Sequence, residues 1–535
     1  MKNNVREQYD ILVHRLRELH RLGAVMGILH WDQEVIMPPG AADSRARQMG
    51  TLAGLLHEKS TDPALGPLLE RLMDCPEAQF NAHEWRNIHE ARRDWERETR
   101  VPRALVEELA ALGSRGHAVW VKARKENRFE EFAPLLRRLV DLKIEWARAI
   151  DPDQPPYDVN IDTYERDMTQ AELDPIFDRL KAGLVPLIRA IQESPAQPGA
   201  NLLAGRFPVE RQEALGRRIS EAMGFDFQRG RMDVSVHPFC GGAGLDDVRI
   251  TTRYREDNFV ESLYAVIHET GHGLYEQGRM AEWAELPVSE SLTMGIHESQ
   301  SLFWERMIAQ ARPFLTHFFP LFQETFPEPL AGLSLEEFYR AINRVTPSLI
   351  RVEADEVTYP LHVILRYEIE KGLFDGSLAV DALPEVWNGK MRDLLGIEPP
   401  TDTEGVLQDV HWSGGAFGYF PSYTLGAMYA CQFYRALEKE IPDIGERIAA
   451  GDLKSVKDWL NRQIHQRGRL YSARDLCIKV TGEPLNPEYF LEYLYRKYAE
   501  IYALDLSTLK EKRAGDPAPG TGIVSGPSLS PERTG

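Results

Sequence analysis

Two histidines one helical turn apart are the residues in this sequence best placed to do chemistry. His268 and His272 belong to the string HETGH, inside the run 257–278, DNFVESLYAVIHETGHGLYEQG. At 3.6 residues per turn both imidazoles lie on one helix face, so they can bind a single ion while Glu269 projects beside it. This His-Glu-x-x-His pattern predicts a metal site with a glutamate base.

A catalytic zinc site generally needs a third protein ligand and an open position for water. The segment 289–310, SESLTMGIHESQSLFWERMIAQ, predicts a following helix that offers Glu298, with His297 and Glu305 as alternatives by spacing alone. The metzincin pattern is excluded because its third histidine would stand where this chain has Gly278. The two-histidine helix therefore predicts a partner ligand from the next helix.

The residues that would orient these ligands are not evident. Many enzymes with a glutamate third ligand place an Asp four residues after it to hold a histidine, whereas that position is Leu302 here. Asp355 is one possible substitute. Gly271 and Gly273 also stand inside the metal helix, where each costs about 1 kcal/mol relative to Ala. Either another backbone or a substrate approaches that face, or the helix simply tolerates them.

Helical signals dominate the elements that must position this site. Asn258 with Glu261, Thr169 with Glu172 and Ser334 with Glu337 stand at helix-start spacing. Strand-like alternation is confined to two short windows, 231–237 and 248–254, with 202–208 a weaker third. The pattern predicts a mostly α protein with one small sheet.

Composition excludes several classes of protein. The 535 residues carry a net charge of -19, too acidic for a phosphate-backbone partner, so no nucleic acid is expected. Four scattered cysteines indicate neither a disulfide framework nor a thiolate metal site. The charged start MKNNVREQYD lacks the apolar region of a signal peptide. The uncharged run 410–434 is too polar and too broken by glycine and proline to span a membrane, and predicts a buried loop entering a buried helix.

Six motifs in order make the chain resemble the M32 family of metallocarboxypeptidases, of the thermostable carboxypeptidase Taq type. The motifs are HPF (237–239), DVRIT (247–251), HETGH (268–272), HESQ (297–300), IRVEAD (350–355) and GVLQDVHW (405–412). The resemblance covers residues 1 to about 505 and implies one two-lobed helical catalytic domain, similar to neurolysin and angiotensin-converting enzyme, with the sheet beside its groove. The Gly/Pro/Ser-rich segment 514–535 lies outside it and is expected to be disordered.

The resemblance also implies an activity. Family members are cytoplasmic homodimers that remove single residues from free peptide C-termini with broad specificity. By the same resemblance His268, His272 and Glu298 hold one divalent metal, zinc or alternatively cobalt, and Glu269 is the general base.

Further site residues follow from the resemblance. The likeness to angiotensin-converting enzyme implies that Tyr423, in GYFPSYTLG, and His411, in QDVHW, donate hydrogen bonds to the tetrahedral intermediate, the alternative being buried aromatic packing. Arg351 is expected to bind the substrate's terminal carboxylate through its guanidinium fork, unless it only pairs with Asp355 on a shared helix. His237 and Arg249 lie in the predicted sheet, where they would border the substrate or serve the structure alone.

Two other functions remain open from the sequence. HETGH with Glu298 also fits a zinc oligopeptidase that cuts internal bonds, because the motif specifies only metal-assisted hydrolysis. A helical peptide-binding protein with a structural metal is the alternative from another class. Structural zinc sites are usually closed by four ligands, often cysteines, which speaks against it.

Overall fold

Helices form nearly all of the architecture. A computed structural model describes residues 2–199 and 202–507; the segment 514–535 falls outside the described residues. The helices in the described part are α1 (Lys2–Val35), α2 (Ala42–Ser60), α3 (Leu65–Met73), α4 (Ala82–Arg100), α5 (Arg103–Glu126), α6 (Phe129–Ile150), α7 (Pro156–Ile161), α8 (Gln170–Glu193), α9 (Val209–Met223), α10 (Phe259–Gly278), α11 (Met294–Leu302), α12 (Arg312–Thr325), α13 (Leu335–Ile342), α14 (Tyr359–Asp375), α15 (Leu383–Leu395), α16 (Pro421–Glu440), α17 (Ile444–Ala449), α18 (Lys454–Gln463), α19 (Ala473–Thr481) and α20 (Pro487–Tyr502).

One small sheet accompanies these helices, as predicted. Its strands are β1 (Gly230–Val234), β2 (Cys240–Gly244) and β3 (Asp247–Thr252), in the order β1-β3-β2. Strand β3 runs parallel to β1 and antiparallel to β2. The prediction was right for β1 and β3 and wrong for 202–208, which contains no strand. The third strand is the glycine-rich CGGAG of β2, which lacks the β-branched side chains that signal a strand.

Strand β2 is glycine-rich for a geometrical reason. The register shifts between Gly242 and Gly244, and both residues have a positive φ, at 135° and 141°. A Cβ on Gly242 would lie 2.0 Å from the carbonyl oxygen of Asp247. A Cβ on Gly27 of α1 would lie 2.5 Å from the carbonyl oxygen of Gly242. The backbone of α1 therefore rests directly on the sheet.

Helix α11 packs against both α10 and α16. Gly271 allows the close approach of another backbone, because its Cβ would lie 2.7 Å from the carbonyl oxygen of Gln300 and from Cα of Ser301. Of the two explanations for this glycine, backbone approach is confirmed. Gly273 instead faces the ring of Phe225, at 2.7 Å from its would-be Cβ. Both glycines serve helix packing rather than a substrate.

The apolar core of the described residues has two main parts, besides a small cluster of Ala147, Ile150 and Val159. A large cluster runs from α5 to α20, and a smaller one joins α1, α3 and α4 through Tyr9, Leu12 and Leu69. A cavity of about 860 Å³ lies between α1, α2 and α4 on one side and β2 with the C-terminal end of α10 on the other. The divided core and the intervening cavity agree with the predicted two-lobed helical fold.

The segment 410–434 has the predicted form of a buried loop leading into a buried helix. It begins with the short 3-10 helix His411–Gly414 and continues into α16. Among the described residues no helix combines the length and the apolar character needed to cross a bilayer. All four cysteines are described, and all are free thiols.

Candidate active site

Helix α10 carries the HETGH string, with the predicted boundaries. The side chain of Asn258 caps it by accepting a hydrogen bond from the backbone N–H of Glu261, at 3.3 Å, and the helix ends at Gly278. His268 and His272 stand one turn apart, with ring centroids 4.9 Å from each other. The local sequence therefore places both imidazoles on one face.

The following helix is shorter than the sequence indicated. Ser289 lies in a separate 3-10 turn, and α11 begins only at Met294, where the Thr293 hydroxyl caps it by accepting from the N–H of Ile296. After Leu302 the chain continues as a π-helix, Phe303–Ala309. The prediction of a helix over 289–310 is confirmed for 294–309, which is α-helical as far as Leu302 and π-helical after it, and is wrong for 289–293, because the Thr293 cap starts the helix later.

Glu298 of α11 faces both histidines. Its Oε2 lies 3.6 Å from Nε2 of His268 and 3.4 Å from Nε2 of His272. Ligand atoms of the three residues all lie within 4.8 Å of one another, and in the part of the chain that the structure describes this is the one such His/Cys/Asp/Glu group. A single ion would reach all three donors.

The electrostatics of this group favour a cation. Burial acts to lower the pKa of His268, yet the charges of Glu298 and Glu305 raise it to about 9. Burial acts to raise the pKa of Glu298, yet the two histidines lower it to about 2, so its carboxylate is ionised and can coordinate. Burial lowers the pKa of His272 to about 4, which leaves this ring neutral and able to coordinate, whereas an ion would have to displace the proton that His268 holds.

Glu269 differs from the other carboxylates around the cluster. It is 6% exposed, and its Oε2 is buried without a hydrogen-bond partner. Burial raises its pKa to about 7, with the charge of His268 opposing and those of Glu298 and Glu305 assisting. A buried carboxylate oxygen without a partner is costly, and such groups are typical of functional sites.

Glu305 and His297, the alternatives to Glu298 as third ligand, contact the Nδ1 atoms of His268 and His272, whereas Glu298 faces their Nε2 atoms. Oε2 of Glu305 lies 2.7 Å from Nδ1 of His268, and Nδ1 of His297 lies 2.6 Å from Nδ1 of His272. Sequence spacing did not reveal these contacts, because each joins side chains from two different helical segments. Leu302, where an orienting Asp was sought, is a buried apolar residue.

Asp355 is not the residue that orients His268 or His272. Its carboxylate accepts hydrogen bonds from the backbone N–H groups of Thr346, Val357 and Thr358, at 2.9 to 3.0 Å. It therefore stabilises a turn. The alternative that Arg351 only pairs with Asp355 on a shared helix is wrong. Arg351 begins the short 3-10 helix Arg351–Glu353, and no α-helix contains both residues.

The partner of Arg351 is Asp409, from the GVLQDVHW motif. Nε and Nη2 of Arg351 donate to Oδ1 of Asp409 at 3.0 and 2.8 Å, and Nη1 donates to the hydroxyl of Tyr359 at 2.5 Å. Arg366, which is fully buried, donates to Oδ2 of the same carboxylate at 2.6 Å. Two guanidinium groups thus share one carboxylate, which leaves one positive charge in excess.

His411 and Tyr423 lie together beside this arginine pair. Nε2 of His411 is 3.4 Å from the hydroxyl of Tyr423, and Cζ of Arg351 is 4.9 Å from the Tyr423 ring. Burial lowers the pKa of His411 to about 4, so the ring is neutral. Burial raises the pKa of Tyr423 well above its ordinary value, so its hydroxyl keeps its proton.

His237 and Arg249 lie in the sheet region. Arg249 is on β3, and its Nε and Nη2 donate to the carboxylate of Asp247 at 2.7 and 2.8 Å. His237 is an exposed residue between β1 and β2, whose carbonyl accepts a hydrogen bond from Ser235. In the part of the chain that the structure describes, neither side chain has a hydrogen bond or an ion pair with His268.

Comparison with known proteins identifies relatives along nearly the whole chain. The family model described as carboxypeptidase Taq (M32) metallopeptidase matches residues 11–498. Thermostable carboxypeptidase 1 of Thermus thermophilus is 41% identical over 510 residues, covering 92% of this chain and 99% of the relative. Carboxypeptidase 1 of Bacillus subtilis is 36% identical, covering 93% and 99%. The crystal structure of an M32 carboxypeptidase from Deinococcus radiodurans superposes with a TM-score of 0.90 at 38% identity, covering 93% of this chain and 100% of that one.

Proposed function

The chain belongs to the carboxypeptidase Taq (M32) family of metallopeptidases, and from that premise we propose that it removes single residues from the free C-termini of peptides, with broad specificity. It is a metallocarboxypeptidase, a peptide hydrolase that uses a divalent metal. The observation that carries the proposal is the pairing of the His268, His272 and Glu298 group with the unpartnered oxygen of Glu269.

His268, His272 and Glu298 would hold the metal. Two imidazoles and one carboxylate are the donor set of hydrolytic zinc enzymes, so zinc is the proposed ion and cobalt the alternative. Three protein ligands would leave room for a water on the ion, and the orphaned oxygen belongs to Glu269, the residue next to His268 on α10. The metal supplies Lewis acidity, which brings the pKa of a coordinated water toward ~7.

Glu269 is the proposed general base. Its Oε2 is free to accept a proton, and a pKa of about 7 lets the carboxyl take up and release that proton near neutral pH. Burial excludes competing solvent from the same oxygen. Glu269 therefore takes the proton from the attacking water and passes it to the leaving amine.

Tyr423 and His411 are the proposed donors to the oxyanion. A protonated tyrosine hydroxyl and a neutral imidazole can each donate one hydrogen bond without adding a formal charge to the site. Donors fixed in advance stabilise the developing negative charge without reorganisation. The packing of Tyr423 against Tyr359 and Tyr419 holds its ring in place.

Arg351 is the proposed anchor for the substrate's terminal carboxylate. Because Asp409 neutralises only one of the two guanidinium groups that it binds, the pocket has a positive charge for an incoming carboxylate to neutralise. Binding the last residue there would fix the scissile bond one residue from the end. This excess charge favours a carboxypeptidase over an oligopeptidase. His237 and Arg249 are proposed as substrate-edge residues, although the fork of Arg249 is occupied by Asp247.

Assembly and location rest on the family resemblance. We infer that residues 1–505 act as one catalytic domain and that the protein is a cytoplasmic homodimer without a nucleic-acid or membrane partner. Light scattering tests the dimer: a mass near 122 kDa, twice the 61.0 kDa of the chain, is expected at working concentration. A mass near 61 kDa would refute it.

A matched pair of peptides tests the proposed function. The free-acid and the C-terminally amidated form of one unstructured peptide are incubated with the native protein, the chelator-treated protein and the chelated protein resupplied with zinc. The free acid should be cleaved only in the first and third cases, and the amide largely spared. Equal cleavage of both peptides would indicate an oligopeptidase, and metal binding without cleavage a peptide-binding protein with a structural metal.

A further inference from the structure

His297 and Glu276 form a hydrogen-bonded row behind the metal ligand His272. Nδ1 of His272 lies 2.6 Å from Nδ1 of His297, and Nε2 of His297 lies 2.9 Å from Oε1 of Glu276. Nη1 of Arg279 binds the other oxygen of Glu276 at 2.5 Å. The row crosses from α10 to α11 and back, and all four side chains are at least half-buried.

The positions of the protons in this row can be deduced one bond at a time. A carboxylate paired with an arginine can accept a hydrogen bond but cannot donate one. Nε2 of His297 must therefore carry the proton that it shares with Glu276. In its neutral form His297 has only one N–H, so the proton on Nε2 makes its Nδ1 an acceptor. The contact of 2.6 Å then requires the proton on Nδ1 of His272.

This arrangement leaves the opposite nitrogen of His272 with a free lone pair. That nitrogen, Nε2, is the one that faces Glu298 at 3.4 Å. The reverse arrangement, with His297 donating from Nδ1, would move the His272 proton to Nε2 and block coordination. The charge of Glu276 thus selects the tautomer of a ring two hydrogen bonds away.

We propose that His297 and Glu276 are positioning residues, which hold His272 in the orientation and tautomer that bind the metal. The inference rests on the proposed function and deepens it. In many zinc enzymes a carboxylate orients a ligand histidine directly. Here His268 has that arrangement through Glu305, whereas His272 reaches its carboxylate through a second imidazole.

The chain offers a matched control for His297. His465 is also a buried histidine, and it packs on the same ring: the centroid of Tyr275 is 5.2 Å from His297 and 5.0 Å from His465. The nitrogens of His465 bind Asn461 and Gln300, outside the row. Replacing either histidine by Phe removes similar packing, but only the change at His297 interrupts the row.

The test measures zinc dissociation constants by chelator competition in wild type, His297→Phe, Glu276→Gln and His465→Phe. His297→Phe should bind zinc ~10- to 100-fold more weakly, the usual cost of losing a group that orients a ligand. Glu276→Gln should show a smaller loss, because an amide can present either its oxygen or its NH₂ to His297. His465→Phe should bind zinc as wild type does. The visible absorption of the cobalt-loaded protein should change in His297→Phe and stay constant in His465→Phe.

Each result decides the matter. If His297→Phe keeps the wild-type dissociation constant and cobalt spectrum, the row does not position His272. If Glu276→Gln keeps the wild-type constant, the two-ring selection is refuted, and this variant also decides the question if His297→Phe fails to fold. A wild-type protein that binds no zinc or cobalt would instead refute the proposed function itself.

Discussion

At the scale of single residues, Glu269 is the carboxylate whose role is most sharply defined. Glu269→Gln keeps the shape of the side chain and removes its ability to accept a proton. We expect normal metal content and a loss of kcat of at least ~10²-fold, the lower end for removal of a general base. Metal analysis and steady-state kinetics on a free-acid peptide measure both quantities. A variant that retains most of the activity would assign proton transfer to another group.

Arg351 is expected to recognise the substrate's charge rather than to support the fold. Arg351→Ala should lower kcat/KM for a free-acid peptide by roughly 30- to 1,000-fold, while the amidated analogue changes little. Arg351→Lys should recover only part of the loss, because an ammonium cannot reproduce the bidentate fork. The ratio of the two peptides within one variant corrects for any damage from losing the Arg351–Asp409 ion pair, since Asp409 keeps only Arg366. Equal losses on both peptides would make Arg351 structural.

The residues of the site could be found from sequence to different extents. His268, His272 and Glu269 follow from spacing within one helix, whereas Glu298 needed the family resemblance to separate it from His297 and Glu305. The contacts of Arg351 with Asp409 and of His272 with His297 join different segments of the chain. No local pattern encodes such contacts, so they appear only in the folded structure.

At the scale of elements, Gly426 determines how closely α16 approaches Glu298, the proposed third metal ligand. A Cβ there would lie 2.6 Å from Cγ and 2.7 Å from Cβ of Glu298. Gly426→Ala should therefore displace Glu298, weaken zinc binding and lower the free energy of unfolding by about 1 to 3 kcal/mol through overpacking. Chelator competition and chemical denaturation measure the two effects.

A second glycine provides the control for that substitution. Gly389 lies inside α15, and nothing stands within 4 Å of its would-be Cβ. Gly389→Ala should leave zinc binding unchanged and raise stability by up to about 1 kcal/mol, the difference in helix propensity. If Gly426→Ala behaved in the same way, the tight packing of α16 on Glu298 would not be needed for the site.

Element boundaries show where sequence signals are strong and where they are weak. The cap of α10 and the capping box at Ser334 are local, and both occur as predicted. Thr169 precedes α8 as expected, but its side chain does not cap the helix. Strand β2 and the π-helix after α11 carry no clear propensity signal, because bulge geometry and tertiary packing determine them.

At the scale of the whole molecule, buried glutamates make stability depend on pH. Burial raises the pKa of Glu165 to about 7, although it accepts a hydrogen bond from the N–H of Gly295. The folded protein therefore holds a proton that the unfolded chain releases between about pH 4.5 and 7. Stability from this group falls as pH rises through that window, by up to ~3 kcal/mol.

Comparison with Glu165→Gln isolates this contribution. The variant cannot ionise at that position, so its denaturation midpoint should rise relative to wild type between pH 5 and 8. The difference should be smallest at pH 5, where the wild-type carboxyl is protonated in the folded state. A difference that stayed constant across the range would show that Glu165 does not change its protonation there.

The central claim is that the whole molecule acts as a carboxypeptidase. Mass spectrometry of the products from one unstructured free-acid peptide, sampled over time, tests the reaction and its direction together. We expect a ladder of products that shorten by one residue at a time from the C-terminus, each step accompanied by a free amino acid. Internal fragments, or a ladder from the N-terminus, would contradict the account.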